Sequence, residues 1–447
     1  MCYDIAEQNR RTAFRAGLSY RISPGEKYKA VKIMKQMRFD TMLLHGQGAG
    51  DKATGSTAVP IYQTSAYAHE SAEKLEQIFK NKAQGFAYSR ISNPTVAAFE
   101  QKINALEGGI GAVACSSGMS AVALSMLNIL SAGDEIVVSS ALFGGTIDLF
   151  SDLQAFGIKV RFVEHMTVEE VEPCLSEKTR AVFTELIGNP RLDITDIDAL
   201  AGLVHSRNIP LIVDSTTATP YLIKPFGHGA DIVVHSSSKY INGGGNSISG
   251  VIVDGGKFSW DFERYKVLAG YKRFGKFAYL ASMRNGLWRN MGACLAPMNA
   301  YMNTVGLETL SLRMERQCEN ALSLARCIEE SGLARVNYPG LESSPYNGLA
   351  KKLLGGRGGA ILTLRTGSRE RAFSFINALK YAFIATNIGD VRTLVIHPES
   401  TIYAHSTPEQ QHSAGVYEDT VRISVGIEDI EDLKEDMIQA LGSQKEV

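Results

Sequence analysis

Short apolar runs rich in β-branched residues alternate with longer segments of helical periodicity between residues 111 and 255. Seven of these runs have the length and composition of strands: GAVACSS, DEIVVSS, KVRFVEH, RAVFTEL, PLIVDST, DIVVHSS and GVIVDGG. Between two of them, ITDIDALAGLVHSRN has the periodicity of an amphipathic helix. Strands that are apolar on both faces and separated by helices are typical of a parallel sheet covered on both sides. We therefore predict an α/β fold with a mostly parallel, seven-stranded sheet.

The segments on either side of this region have a different character. Residues 40–97 are irregular and rich in turn residues, as in GAGDKATGSTAVPIYQTSAY, which favours an arm over a domain. Residues 300–335 are strongly helical, and GGAILTLRT and TVRISVG have the pattern of strands. We therefore divide the chain into a basic N-terminal extension (1–37), an arm (38–97), a large domain (98–296) and a smaller α/β domain (297–447).

Composition excludes several classes of protein. The net charge of −1 over 447 residues argues against a dedicated nucleic-acid binder, and no apolar run is long enough to span a membrane. Six cysteines occur without a CxxC pair, which is typical of a reducing cytoplasm. Nine histidines occur without an HExxH pattern, so we expect no metal site.

The stretch VHSSSKYINGGG joins the last two strands and places Lys239 between three serines and a run of glycines. It leaves no room for a helix, so one strand pair is expected to be antiparallel. A dinucleotide-binding loop is disfavoured because the glycines lead into a strand instead of a helix. A Walker phosphate loop is disfavoured because Ser238, not glycine, precedes the lysine. A glycine turn with a surface lysine remains open for this stretch alone.

Two other segments favour a binding site over a simple glycine turn with a surface lysine. Asp214 ends the strand PLIVDST, and Ser116-Ser117-Gly118-Met119 joins another strand to a helix. In open α/β sheets, ligands lie beyond the carboxyl ends of the strands, and a helix N-terminus suits a phosphate. Pyridoxal 5′-phosphate needs a lysine that forms an imine, phosphate donors, and an anion beside its ring nitrogen. The sequence therefore predicts a site for this cofactor.

These segments resemble those of the pyridoxal-phosphate enzymes of cysteine and methionine metabolism. The resemblance covers about nine-tenths of the chain, from Phe39 onward. It is carried by the motifs YSRISNPT, SSGM, GNP, VDST, HSSSKYINGG, GLETLSLRMERQCENA and VRISVGIED. It implies the aspartate-aminotransferase fold (fold type I) and at least a dimer, with a tetramer expected.

The resemblance also implies a role for individual residues. The cofactor imine is assigned to Lys239 and the ring nitrogen to Asp214, while Phe143 would stack on the ring. The remaining assignments are Gly118, Met119, Ser236 and Ser238 for the phosphate, Tyr88 (also catalytic) and Arg90 for the phosphate of a neighbouring subunit, Asn189 near the 3′-oxygen, and Arg422 and Asn387 for the substrate.

Within the family, the O-acetylhomoserine sulfhydrylase branch fits best, because it has a long insertion after GVIVD that matches residues 257–297. This branch implies that the γ-acetoxy group of O-acetylhomoserine is replaced by sulfide or a thiol. The alternative is a carbon–sulfur lyase or cystathionine synthase acting on O-succinylhomoserine, cystathionine or methionine. The sulfur source stays open between sulfide, a thiol and a carrier protein. The chain departs from the family at two positions. Phe143 stands where tyrosine is usual, and Gly244 stands in the glycine turn where the sulfhydrylase branch commonly has histidine.

Overall fold

The structure, a computed structural model, describes residues 37–51 and 53–443. The predicted extension therefore lies almost wholly outside the described residues. From Phe39 onward the chain forms one compact unit. Its helices are α1 (Phe39–His45), α2 (Ala72–Phe79), α3 (Pro94–Glu107), α4 (Gly118–Leu127), α5 (Gly144–Leu153), α6 (Val168–Val171), α7 (Ile197–Ser206), α8 (Thr219–Leu222), α9 (Ala278–Asn285), α10 (Leu287–Met291), α11 (Pro297–Leu307), α12 (Leu310–Ser331), α13 (Asn347–Leu354), α14 (Arg369–Ala378), α15 (Pro408–Ser413) and α16 (Ile430–Gly442).

A seven-stranded sheet forms the centre of the fold, as predicted. Its strands are β1 (Gly111–Cys115), β2 (Glu135–Ser139), β3 (Lys159–Val163), β4 (Thr179–Glu185), β5 (Leu211–Asp214), β6 (Ile232–His235) and β7 (Gly250–Asp254), in the order β1-β7-β6-β5-β4-β2-β3. β7 is antiparallel to both β6 and β1, and the other neighbours are parallel. The sequence predicted one antiparallel pair, whereas the sheet has two, because β7 lies between two strands that run opposite to it.

Successive apolar side chains of these strands point to alternate faces of the sheet and contribute to two separate apolar cores. Val137, Val182 and Val213 pack into the core on one face of the sheet. Ile136 and Ile212, one residue away on their strands, pack into the core on the other face. Because successive side chains of a strand point to opposite faces, strands that are apolar throughout require a cover on both sides.

A second sheet of five strands lies in the C-terminal part of the chain. Its strands are β8 (Arg335–Asn337), β9 (Ile361–Arg365), β10 (Phe383–Ile384), β11 (Leu394–Ile396) and β12 (Thr420–Ser424), in the order β10-β11-β12-β9-β8. Only the β10–β11 pair is parallel. α12, α14 and α16 cover this sheet with a third apolar cluster.

The segment expected to be an irregular arm has more regular structure than predicted. It contains α1 and α2, and the expected boundary after residue 97 falls inside α3. Asn93 begins α3 by accepting hydrogen bonds from the backbone N–H groups of Thr95 and Val96. That capping signal, an asparagine directly before proline, is present in the sequence. The division into domains remains a prediction.

The long insertion after β7 packs against the large sheet through its aromatic residues. Trp260 stacks on Tyr279, with ring centroids 5.5 Å apart. The indole N–H of Trp288 donates to the carbonyl of Ala114 in β1 at 2.9 Å. Buried aromatic rings whose polar ends find partners contribute strongly to such packing.

Every helix within the described residues is too short or too polar to cross a membrane. The described residues also contain no cluster of three or more His, Cys, Asp or Glu side chains that could hold a metal ion.

Candidate active site

A cavity of about 380 Å³ lies at the carboxyl ends of β4, β5 and β6. The start of α4 closes it on one side, and residues of the second sheet close it on another. This is the edge at which parallel strands of an open α/β sheet present their ligand-binding residues. Ten of the predicted residues line the cavity: Gly118, Met119, Phe143, Asn189, Asp214, Ser236, Ser238, Lys239, Asn387 and Arg422.

Lys239 lies in a tight turn that directly follows β6. The backbone N–H of Lys239 donates to the carbonyl of Ser236 at 3.1 Å, and the backbone N–H of Gly243 donates to the carbonyl of Lys239 at 2.8 Å. The lysine Nζ donates to Oδ1 of Asn387 at 2.5 Å. Burial, and then the positive charge of Arg422, lower the pKa of Lys239 to about 8. A lysine with such a pKa is partly neutral near physiological pH and can act as a nucleophile or base.

Asp214 ends β5 and faces the same cavity. Its Oδ1 accepts the backbone N–H of Thr216 at 2.8 Å, and the Thr216 hydroxyl accepts the backbone N–H of Ser236 at 2.8 Å. Burial raises the pKa of Asp214, while the hydrogen bonds from Thr216 and the neighbouring His235 act in the opposite direction. A partly buried carboxylate in this position is stabilised by a cation placed against it.

Glu185 is a second carboxylate of this cavity, more deeply buried than Asp214, and it was not predicted from the sequence. It ends β4 and lies directly opposite Asp214 in the strand register. Its oxygens accept the backbone N–H of Phe143 at 2.7 Å and of Asn189 at 3.2 Å. Burial, and then the negative charge of Asp214, raise the pKa of Glu185. Its position at a strand end, the same signal that identified Asp214, could have found it.

The start of α4 forms a cradle of backbone N–H groups. Ser117 precedes the helix and accepts the backbone N–H of Ser120 at 3.0 Å, while the first N–H groups of a helix have no partner within it. A Cβ atom on Gly118 would lie 2.5 Å from the Cβ of Ser236, so only glycine fits here. The cradle therefore brings the predicted Gly118, Met119 and Ser236 together.

Ser238 has a structural partner as well. Its hydroxyl donates to the carbonyl of Ser249 at 3.0 Å and accepts the backbone N–H of Ser249 at 2.8 Å. Because this residue ties the lysine turn to the segment before β7, its hydroxyl is less free to bind phosphate than the sequence suggested.

Arg422 lies in β12 and is only 3 % exposed. It donates to Oδ1 of Asn189 and to the carbonyl of Asn387, each at 3.1 Å, while its Nε has no partner within the described residues. Burial lowers the pKa of Arg422 to about 10. Its partners are neutral, so this guanidinium is suited to bind an incoming anion such as a carboxylate.

Tyr88 and Arg90 do not line this cavity. Tyr88 is 42 % exposed, and the Arg90 guanidinium lies 5.6 Å from the centre of its ring. Arg90 also donates to the carbonyl of Arg289 at 2.6 Å. Both residues were expected to serve a neighbouring subunit, and that role stays a prediction.

Comparison with known proteins identifies the family. The family model described as Cys/Met metabolism PLP-dependent enzyme matches residues 40–442. The chain belongs to this family. Members are dependent on pyridoxal 5′-phosphate and act on small molecules, as the sequence analysis expected.

Individual relatives cover nearly the whole chain. O-acetyl-L-homoserine sulfhydrylase 1 of Thermus thermophilus is 42 % identical over 91 % of this chain and 100 % of its own length. Homocysteine synthase of Schizosaccharomyces pombe is 41 % identical over 90 % of this chain and 98 % of its own. A crystal structure from Campylobacter jejuni, described as an O-acetylhomoserine (thiol)-lyase, has a TM-score of 0.86 and 32 % identity, and it covers 91 % of this chain and 100 % of its own. That structure contains N′-pyridoxyl-lysine-5′-monophosphate.

The cavity of this family member fits the cofactor. The α4 cradle supplies donors for a phosphate, and Gly118 has room only for a hydrogen atom beside Ser236. Lys239 supplies an amine and Asp214 a partly buried carboxylate, and Phe143 and Met119 contribute apolar surface to the lining. The unpartnered Nε of Arg422 leaves a cationic group for the amino-acid substrate. These assignments to individual residues remain predictions.

Proposed function

We propose that this protein is an O-acetylhomoserine sulfhydrylase. It replaces the γ-acetoxy group of O-acetyl-L-homoserine with sulfide, giving L-homocysteine and acetate, or with a thiol such as methanethiol, giving methionine. The observation that carries this proposal is a cavity in which an amine of lowered pKa, the carboxylate of Asp214 and a buried arginine converge, in a chain whose relatives are named for this reaction.

Each polar residue has a task in this reaction. When bound, the cofactor supplies an electron sink for carbanion chemistry. Arg422 binds the α-carboxylate of the substrate, which orients the α-carbon toward Lys239. Lys239 would remove the α-proton, release it to the bound cofactor, and as a free amine again remove a β-proton while the γ-acetoxy group leaves as acetate. After sulfur has added at Cγ, Lys239 would return a proton to Cβ and a proton to Cα. Asp214 stabilises positive charge on the cofactor ring.

Phe143 favours an ester substrate. It occupies the cavity wall with a ring that has no hydroxyl group. Acetate leaves as a stable anion at neutral pH and needs little protonation, whereas an alkyl thiolate leaves more readily when an acid is near. The γ-replacement of an ester is therefore easier for this cavity than cleavage of methionine or cystathionine.

Product analysis distinguishes the two candidate reactions. The purified enzyme should form homocysteine from O-acetyl-L-homoserine and sulfide much faster than it forms α-ketobutyrate and ammonia from methionine or cystathionine. Predominant α-ketobutyrate formation would favour the lyase. Parallel assays with O-succinyl-L-homoserine decide which ester is used, and reactions with sulfide as the sole sulfur source decide whether a carrier protein is required.

We also propose that the active enzyme is a homo-oligomer in which Tyr88 and Arg90 complete the cavity of a second copy. The segment that carries them exposes several large apolar side chains, including Ile61, Tyr62 and Phe79. Mixing Arg90→Ala with Lys239→Ala subunits should restore activity in hybrid oligomers, since one site of each hybrid then has both residues intact. If the mixture stays as inactive as its parents, this arrangement is wrong.

A cytoplasmic location is part of the proposal. The five cysteines of the described residues are unpaired, which suits a reducing compartment. Cell fractionation followed by immunoblotting tests it.

A further inference from the structure

The motif GLETLSLRMERQCENA contributes no side chain to the lining of the cavity, although most of it forms the first half of α12. Three polar side chains lie on one face of this helix, at positions i, i+4 and i+7: Arg313, Gln317 and Asn320. They are 7 %, 0 % and 3 % exposed. We call these three residues the polar stripe. Residues of this type are rarely so deeply buried unless they form hydrogen bonds, and all three donate to backbone carbonyls, although Oε1 of Gln317 has no partner within the described residues.

Arg313 binds the turn that carries Lys239. Its guanidinium donates to the carbonyls of Tyr240 at 2.6 Å and Ile241 at 3.4 Å, and to Gly306 at 2.7 Å. A Cβ atom on Gly243 would overlap the same guanidinium, so the turn and the arginine are in direct contact. A cation bound to the free carbonyls at the end of a helical turn fixes that turn in place.

The other two members bind the segments that carry Asn387 and Arg422. Gln317 donates to the carbonyl of Asp390 at 2.7 Å, three residues beyond Asn387. Asn320 donates to the carbonyls of Gly426 at 3.1 Å and Glu428 at 2.9 Å, just beyond the end of β12. One face of α12 therefore binds the backbone of the segments that carry Lys239, Asn387 and Arg422.

The stripe is poorly suited to stabilising α12 itself. Arg313 lies near the N-terminal end of the helix, where a positive charge opposes the helix dipole. Within the described residues it makes no ion pair with a carboxylate, and burial lowers the pKa of Arg313 to about 10. An apolar face would pack more favourably, so the gain has to lie in what the stripe holds.

We propose that the polar stripe sets the relative positions of Lys239 and Arg422, with Arg313 as the positioning residue for Lys239 and Asn320 as the positioning residue for Arg422. Gln317 holds the intervening segment that bears Asn387. This inference rests on the proposed roles of Lys239 and Arg422 in binding cofactor and substrate. It predicts that the two ends of the stripe affect two different binding events.

Two substitutions separate those events. Arg313→Met should slow the covalent attachment of added cofactor to the cofactor-free protein by roughly 10- to 100-fold, since misplacement of a reacting group by about 1 Å has an effect of that size. Asn320→Leu should leave attachment near the wild-type rate and weaken binding of L-norleucine, an amino acid without a leaving group at Cγ, by roughly tenfold. Attachment is followed by visible absorbance and by borohydride trapping, and norleucine binding by the absorbance change of the bound cofactor.

Arg264→Met is the matched control. Arg264 also donates to two backbone carbonyls, of Arg207 at 2.8 Å and Thr179 at 2.6 Å, and does not line the cavity. It should lower thermal stability without changing attachment or norleucine binding. Arg313→Lys, which keeps the charge but loses the fork of donors, should give an intermediate attachment rate and provides a milder variant if Arg313→Met does not fold.

The inference is overturned if the Arg313 and Asn320 variants change both binding events equally, or change neither, once stability is matched to that of Arg264→Met. Lys239→Ala distinguishes this from failure of the proposed function. If Lys239→Ala still traps cofactor, the assignment of the lysine itself is wrong. If Lys239→Ala abolishes trapping while Arg313→Met attaches cofactor at the wild-type rate, only the role of the polar stripe is wrong.

Discussion

The lowered pKa of Lys239 makes a prediction about folding stability as a function of pH. In the cofactor-free protein, the ammonium form of Lys239 is destabilised by burial and by Arg422, which lowers its pKa from 10.5 to about 8. A shift of that size corresponds to about 3 kcal/mol, at 1.36 kcal/mol per pKa unit. Replacing Lys239 with methionine, which has a similar length and no charge, removes this destabilisation.

The sign of the pH dependence follows from proton binding. Between pH 8 and 10.5 the unfolded chain holds a proton on Lys239 that the folded chain has released. The free energy of unfolding of the wild type therefore rises with pH across this window. Relative to Lys239→Met, the wild type should be less stable by up to about 3 kcal/mol below pH 8, and this deficit should be absent above pH 10.5.

Urea denaturation of both cofactor-free proteins at several pH values measures this difference. The loss of the hydrogen bond to Asn387 in the variant adds a constant offset, so the change of the difference with pH is the informative quantity. A difference that is the same at pH 7 and pH 10.5 would mean that the amine is well hydrated. It would then not be the neutral base that the proposed reaction needs.

Three further substitutions test the other parts of the cavity. Gly118→Ala places a Cβ atom 2.5 Å from the Cβ of Ser236 and should raise the cofactor dissociation constant tenfold or more, measured by fluorescence titration; unchanged affinity would argue against the phosphate cradle. Asp214→Asn should retain cofactor by absorbance but lower kcat about 100- to 1,000-fold, and near-normal turnover would contradict its electrostatic role. Arg422→Lys loses the bidentate fork and should raise KM for O-acetyl-L-homoserine about tenfold while cofactor binding is kept; an unchanged KM would exclude it as the carboxylate site.

Much of the large sheet could be predicted from the sequence because its strands are apolar on both faces. All seven predicted runs contain strands, and ITDIDALAGLVHSRN contains α7. Because the carboxyl ends of parallel strands meet at one edge of a sheet, Asp214 and Lys239 could be predicted to lie close together, and both line the same cavity. The number of antiparallel pairs was underestimated because strand order depends on contacts between distant segments, such as β1 with β7.

Other parts of the cavity depend on contacts that no local pattern contains. Asn387 and Arg422 meet Lys239 only because the second sheet packs beside the first, and their sequence signal came from a family resemblance. Glu185 had a local signal, its position at the end of a strand, but no role was assigned to it from the sequence. The burial of Arg313 is a tertiary property, and a helix sequence rich in charged residues gave no indication of which arginine lies inside.

The assignment of Lys239 as the lysine that binds the cofactor is tested by locating the site of cofactor attachment. Borohydride reduction of the purified enzyme, followed by proteolysis and mass spectrometry, should place a pyridoxyl phosphate group on the peptide that contains Lys239 and on no other lysine. A label on a different lysine, or no label on protein that has bound cofactor stoichiometrically, would contradict the assignment of Lys239.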